Sequence, residues 1–180
     1  GHFTISSGEV FRRENKSSAT VHKLSEGVVR EASELIRSAV LWQSPDLKNA
    51  FWHWGRSCVA DLDRDVLLEA IIGLEPLLVP SPGESRYRFG LHGAALLCTS
   101  LDKAEEMARD LRKLYDRRSS AAHGRREEGS RDSLASRKNL ADAIKVIIQL
   151  YNEGVFIPGQ PIAKQIESAI LKNAPLRRTI

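Results

Sequence analysis

The chain has 180 residues and a net charge of +4, with 42% hydrophobic and 28% charged residues. These values fit one globular domain, with room for a small appendage, and do not indicate a disordered chain. No apolar run approaches the ~20 residues of a membrane span, and the polar N-terminus does not resemble a signal peptide. The two cysteines, Cys58 and Cys98, are far apart and have no partners at metal-binding spacing. We therefore expect a cytoplasmic protein without a membrane partner, a structural metal or a cofactor.

Residues 1–23 show no helical periodicity and are predicted to form an N-terminal arm. Gly1 and His2 resemble the remnant of a cleaved tag, so we assign no function to His2. The apolar and β-branched residues between positions 4 and 11 predict a short extended segment. Residues 15–20 are polar and predict a loop.

The next segment carries the first helical signal of the chain. From Leu24 onward, apolar residues recur at steps of three and four, which predicts one amphipathic helix that ends at Gln43. Ser25 is suited to cap its start. Pro45 ends this helix and is suited to the first turn of the next one.

Residues 66–79 form the most apolar segment of the chain and predict a central helix after a tight, capped corner at residues 61–65. Glu75 interrupts this segment, and a buried carboxylate needs a partner. Pro76 follows it and is expected to kink the helix, because proline removes a backbone hydrogen bond. Pro80 to Gly83 then predict a clear break.

The segments after this break complete the predicted bundle. A helix over 89–98 has a thin side at Gly90, Gly93 and Ala94, where another backbone can approach. The following helix runs directly into Arg117 and Arg118. Residues 125–132 contain no apolar residue and predict an exposed loop.

A further helix begins at Ser133 and ends at Gly154. Residues 155–180 are predicted to form a C-terminal linker and a short last helix. The chain is thus predicted to be all-α, with a compact bundle of about six helices spanning residues 24–154.

Polar and reactive side chains are concentrated in residues 115–124, which read Tyr-Asp-Arg-Arg-Ser-Ser-Ala-Ala-His-Gly. Between Arg109 and Lys138, ten Lys or Arg residues stand against five Asp or Glu. This excess of positive charge favours an anionic partner such as RNA, or it marks a solvated helical face.

Arg118 and His123 are the candidate chemical groups of this stretch. An imidazole can take or give a proton near neutral pH, and a guanidinium binds phosphate oxygens. Because RNA carries its own 2′-hydroxyl nucleophile, this pair can cleave it without a metal. In the alternative interpretation, Arg118 is a surface residue and His123 interacts with the carbonyl end of its helix.

In an ideal helix Arg118 and His123 are about 140° apart. They can meet through the long arginine stem, through a local departure from the helix, or across a dimer axis. Ser119 and His123, four residues apart, share a face.

The pattern Leu-Tyr-x-x-Arg-Ser-x-x-x-His-Gly within residues 111–124 resembles the signature of the HEPN superfamily. It is most similar to the Apea-like branch that is associated with abortive infection. Residues 68–78, including Glu75, resemble the central helix of that branch, and residues 86–97 resemble the helix that follows.

The resemblance implies a helical bundle that forms a symmetric homodimer with a composite site, and a metal-independent endoribonuclease activity used in phage defence. It assigns the family's arginine to Arg118, its polar follower to Ser119 and its histidine to His123. Two positions depart from the family pattern: Asn, Asp or His is more common at the position of Ser119, and a small residue is usual at that of Pro76.

The remaining candidate residues each have a specific expected role. Arg117, Arg125 and Arg126 are expected to follow the phosphate backbone of RNA. Tyr115 either stacks on a base or closes the core. Glu75 either pairs with Arg118 or Arg88 and orients the site, or forms a structural ion pair. The alternative function is a non-catalytic module that binds RNA or a nucleotide, or dimerises a larger protein.

Overall fold

The structure is a computed structural model that describes residues 3–6, 9–12, 20–23, 25–81, 83–98, 100–122, 130–172 and 176. Only the backbone is described for 3–6, 9–12, 20–23, 101, 119–122, 130 and 131. The predicted all-α fold class is confirmed for the body of the chain, which contains eight helices within the described residues. These are α1 (Glu26–Ile36), α2 (Ala39–Gln43), α3 (Pro45–Cys58), α4 (Asp63–Leu78), α5 (Ser85–Leu97), α6 (Leu101–Ala122), α7 (Ser130–Asn152) and α8 (Ile162–Leu171).

Three short strands precede the helices: β1 (Phe3–Ser6), β2 (Glu9–Arg12) and β3 (Thr20–Lys23). They form an antiparallel sheet in the order β1-β2-β3. The extended segment expected between positions 4 and 11 is therefore confirmed, as one hairpin of a sheet that the sequence did not predict. Most of the predicted loop over 15–20 lies outside the described residues.

The prediction of a single helix up to Gln43 is wrong, because the helix is interrupted between α1 and α2. Ser38 has an extended conformation, and the indole N–H of Trp42 donates to the carbonyl of Ile36 at 2.9 Å. This side chain satisfies a carbonyl that the end of α1 leaves free. The predicted caps are confirmed, since Ser25 accepts from the backbone N–H of Val28 and Pro45 occupies the first turn of α3.

Helix α4 is central, as predicted, and packs against α3, α6, α7 and α8. Ile71, Leu74 and Leu77 are almost completely buried. The corner predicted before α4 is present as a bend at Asp61 and Leu62. The predicted cap is wrong, because the N-cap residue is Leu62, whose side chain makes no cap hydrogen bond. The helix continues through Pro76 and ends at Leu78.

Helices α5 and α6 form a close antiparallel pair at the glycines of α5, which confirms the predicted thin side. A Cβ atom on Gly90 would lie 2.6 Å from the carbonyl oxygen of Ala108, and one on Gly93 would lie 2.4 Å from a methyl carbon of Leu111. Helix α5 also begins at Ser85, four residues before the predicted start. This extra turn places Arg86 beside the C-terminal half of α6.

The C-terminal segment contributes directly to the core of the bundle. Phe156, Ile162 and Ile166 are buried in the same hydrophobic cluster as the apolar residues of α4. The described part of the predicted linker and last helix, residues 155–172, is thus packed onto the described helices that precede it. Helix α8 contacts both α4 and α5.

Candidate functional site

Arg118 lies on α6 and forms an ion pair with Glu75 of α4. Its Nη1 donates to Oε1 of Glu75 at 2.8 Å, and the two side chains are 37% and 25% exposed. Of the two partners that the sequence offered to Glu75, the structure selects Arg118. Arg88 pairs instead with Glu167 of α8, at 2.7 Å. The candidate guanidinium is therefore oriented by the bundle.

Tyr115 completes a three-residue cluster at this position. Its hydroxyl donates to the same Glu75 oxygen at 3.1 Å. Its ring is tilted against Phe89, with a centroid separation of 5.1 Å, and Cζ of Arg118 lies 5.8 Å from the ring centroid. Tyr115 is half-buried at the edge of the core, so the core-closing role is compatible with its position.

The arrangement leaves Arg118 capable of binding an anion. A guanidinium has five N–H donors in a planar fork, and one described hydrogen bond joins it to Glu75. With more than a third of its side chain exposed, further donors of Arg118 are available to a phosphate oxygen.

Several other candidate groups fall outside what the structure describes. His123, Gly124, Arg125 and Arg126 lie in the undescribed range 123–129, and the side chain of Ser119 is likewise outside the described part. Helix α6 remains helical through Ala122, directly before His123. The expected meeting of Arg118 and His123 therefore stays a prediction.

The basic side chains near the site are largely paired with carboxylates. Arg117 forms an ion pair with Asp132 of α7. Arg86 binds Asp116 through two hydrogen bonds of 2.6 and 2.8 Å, and this contact lowers the pKa of Asp116. Thirty residues separate Arg86 from Asp116, and no local sequence signal indicated their contact. Asp116 and Asp132 are two of the five acidic residues counted in this region, so these contacts leave its net charge unchanged and fix where the opposite charges lie.

A cleft of about 210 Å³ lies elsewhere, between the α2–α3 junction and the α7–α8 loop. Asp46 and Tyr151 are among its lining residues, and no candidate site residue is. Burial raises the pKa of Asp46, while a hydrogen bond from the backbone N–H of Ile162 opposes the shift. The cleft therefore contributes nothing to the Arg118 cluster.

Among the described residues, no group of three or more His, Cys, Asp or Glu side chains is arranged to hold a metal ion. Within the same part of the chain, no helix has the length and apolarity needed to cross a membrane.

Comparison with known proteins gives no match: no family model, no curated protein and no solved structure matches this chain. The resemblance to the HEPN superfamily therefore depends on the residues of the sequence alone.

Proposed function

We propose that this protein is a metal-independent endoribonuclease of the HEPN type that cleaves single-stranded RNA. The observation that supports this most is the partly exposed guanidinium of Arg118, which Glu75 orients. Arg118 lies five residues before His123 in the sequence. Cys58 and Cys98 are not joined in a disulfide, which fits a reducing compartment. We place the activity in the cytoplasm, as the effector of a phage-defence or toxin-like protein.

In the proposed reaction, His123 takes the proton of a 2′-hydroxyl, and the resulting oxygen attacks the adjacent phosphorus. Arg118 donates hydrogen bonds to the phosphoryl oxygens, whose negative charge grows in the transition state. The bond from phosphorus to the 5′-oxygen breaks, and that oxygen receives a proton from the imidazolium. The products are a 2′,3′-cyclic phosphate and a 5′-hydroxyl. Ser119, the residue after Arg118 in the chain, is proposed to contribute its hydroxyl to the same reaction.

RNA is proposed to reach this site along Arg117, Arg125 and Arg126, which contact its phosphates. Two copies of the chain are proposed to form a homodimer, so that each site combines groups from both subunits. Sedimentation velocity at micromolar concentration measures the oligomeric state. A chain that is monomeric and still cleaves RNA at the full rate contradicts a composite site.

The decisive experiment measures cleavage of a fluorescent single-stranded RNA in EDTA. We expect His123→Ala and Arg118→Ala each to lower the rate by about 10²-fold or more. Arg109→Ala is the matched control, because Arg109 is exposed on the same helix and should retain the wild-type rate. Circular dichroism confirms that each variant is folded. Wild-type cleavage by His123→Ala contradicts the assignment.

The alternative function, a non-catalytic RNA-binding or dimerisation module, is favoured by the ion pairing around the site. Glu75 and Asp132 join α4 and α7 to α6 through Arg118 and Arg117, which is also the arrangement expected of structural ion pairs that hold a bundle together. This alternative predicts salt-dependent RNA binding without any product. Cleavage that persists through repurification and depends on His123 excludes it.

A further inference from the structure

We propose that Tyr115 is a positioning residue that acts on Arg118 through Glu75, and that it is not a stacking platform for RNA bases. The inference rests on the proposed nuclease function and deepens it. The cluster of Tyr115, Glu75 and Arg118 joins α4 to the last two turns of α6.

The first support is the oxygen that the three side chains share. Oε1 of Glu75 accepts from the hydroxyl of Tyr115 at 3.1 Å and from Nη1 of Arg118 at 2.8 Å. A carboxylate with two donors on one oxygen has less freedom to rotate than a carboxylate with one. Tyr115 therefore restrains Glu75, and Glu75 in turn restrains the guanidinium.

The second support is the environment of the ring. Phe89 and the guanidinium of Arg118 both pack against the Tyr115 ring, and the arginine is within the range of a cation–π contact. A half-buried ring with these two neighbours has less exposed surface for a nucleobase than a tyrosine on an open helix face. Tyr87 of α5, in contrast, is 54% exposed and shows what an accessible tyrosine of this bundle looks like.

The orientation of Arg118 matters because a transition-state donor is effective only when it is already aimed at the developing charge. With Nη1 bound to Glu75, the guanidinium has fewer accessible orientations, and its other N–H groups remain for phosphate oxygens. Removing the tyrosine hydroxyl leaves Arg118 in place but increases its rotational freedom. The loss should appear in the chemical step and not in RNA binding.

The test compares Tyr115→Phe with Tyr87→Phe in single-turnover and steady-state cleavage of the same RNA. Tyr115→Phe should lower kcat about three- to tenfold, the range for one lost hydrogen bond, with KM changed less than twofold. Tyr87→Phe should match the wild type. A stacking role predicts a wild-type kcat for Tyr115→Phe, because phenylalanine retains the ring, and that result overturns the proposal.

A double-mutant cycle tests the route through Glu75. Adding Tyr115→Phe to Glu75→Gln should lower kcat by less than Tyr115→Phe does in the wild type, because the two residues act in series. Full additivity overturns the inference. The arginine Nε–H spectrum provides an independent readout, in which exchange broadening or averaging of the Arg118 side-chain signals should increase in Tyr115→Phe.

The two proposals fail in different ways. If the wild type does not cleave RNA and is indistinguishable from Arg118→Ala, the nuclease proposal fails and the role of Tyr115 in it falls as well. If the wild type cleaves and Tyr115→Phe changes only KM, or nothing, the nuclease proposal stands and the positioning role is overturned.

Discussion

Replacing Gly90 with alanine tests the close packing of α5 on α6 that places Tyr115 and Arg118. The added Cβ would lie 2.6 Å from the carbonyl oxygen of Ala108 and 2.7 Å from Cγ of Arg112. Alanine gains about 0.5–1 kcal/mol over glycine inside a helix, whereas overpacking costs about 1–3 kcal/mol. The carbonyl belongs to the backbone of α6 and cannot rotate away, so we expect a net loss of about 1–2 kcal/mol.

Gly55→Ala is the matched control, because Gly55 also lies in a helix but its Cβ would have no neighbour within 4 Å. It should gain the helix propensity without the clash and become more stable by about 0.5–1 kcal/mol. Urea denaturation followed by circular dichroism measures both free energies of unfolding, with the m-value as a check on the unfolded state. Equal stabilities for the two variants would refute the packing that we describe.

Three further predictions concern titratable groups. Burial lowers the pKa of His92 from 6.5, so its contribution to stability is full above this pH and decreases as pH falls toward the folded-state pKa. Urea denaturation between pH 7.5 and 5 should therefore show a smaller loss of unfolding free energy on acidification for His92→Gln than for the wild type. Burial raises the pKa of Cys58 from 9.0 to about 11, so in a Cys98→Ser variant at pH 8 its alkylation should be about a hundredfold slower than in the unfolded chain. Asp116→Asn should lower the free energy of unfolding by less than Gly90→Ala does, because its ion pair with Arg86 is exposed. At 1 M salt the loss caused by Asp116→Asn should be smaller still, because salt screens the pair.

Each of these predictions has a result that contradicts it. An equally steep acid dependence in His92→Gln indicates that other groups control the pH dependence. Rapid alkylation of Cys58 in folded protein means that the thiol is more accessible than its packing implies. A large, salt-independent loss in Asp116→Asn means that the ion pair is shielded from solvent.

The features that the sequence predicted correctly depend on local physical chemistry. Ser25 and Pro45 are in the capping and first-turn positions expected of them, since a cap involves only neighbouring residues. Gly90 and Gly93 predicted a close approach because a missing side chain leaves room that another helix can fill. The apolar period of residues 66–79 correctly indicated the central helix.

The features that the sequence did not predict depend on contacts between distant residues or on a side chain that competes with the helix. Helical periodicity continues across Ser38, but the indole of Trp42 satisfies Ile36 and permits a break. Glu75 had two plausible arginine partners, and only the packing of α6 on α4 decides for Arg118. His123 stays a prediction from spacing and chemistry.

At Pro76, the regularity of α4 and the orientation of the Glu75 carboxylate place different demands on the backbone. Lacking an N–H, it leaves the carbonyl of Ile72 without its usual partner, immediately after the residue that receives Arg118. Restoring that bond with alanine would make α4 more regular and change the local geometry that directs Glu75. Selection for higher thermal stability would then favour replacing Pro76, whereas selection for the present orientation of Arg118 would favour keeping it.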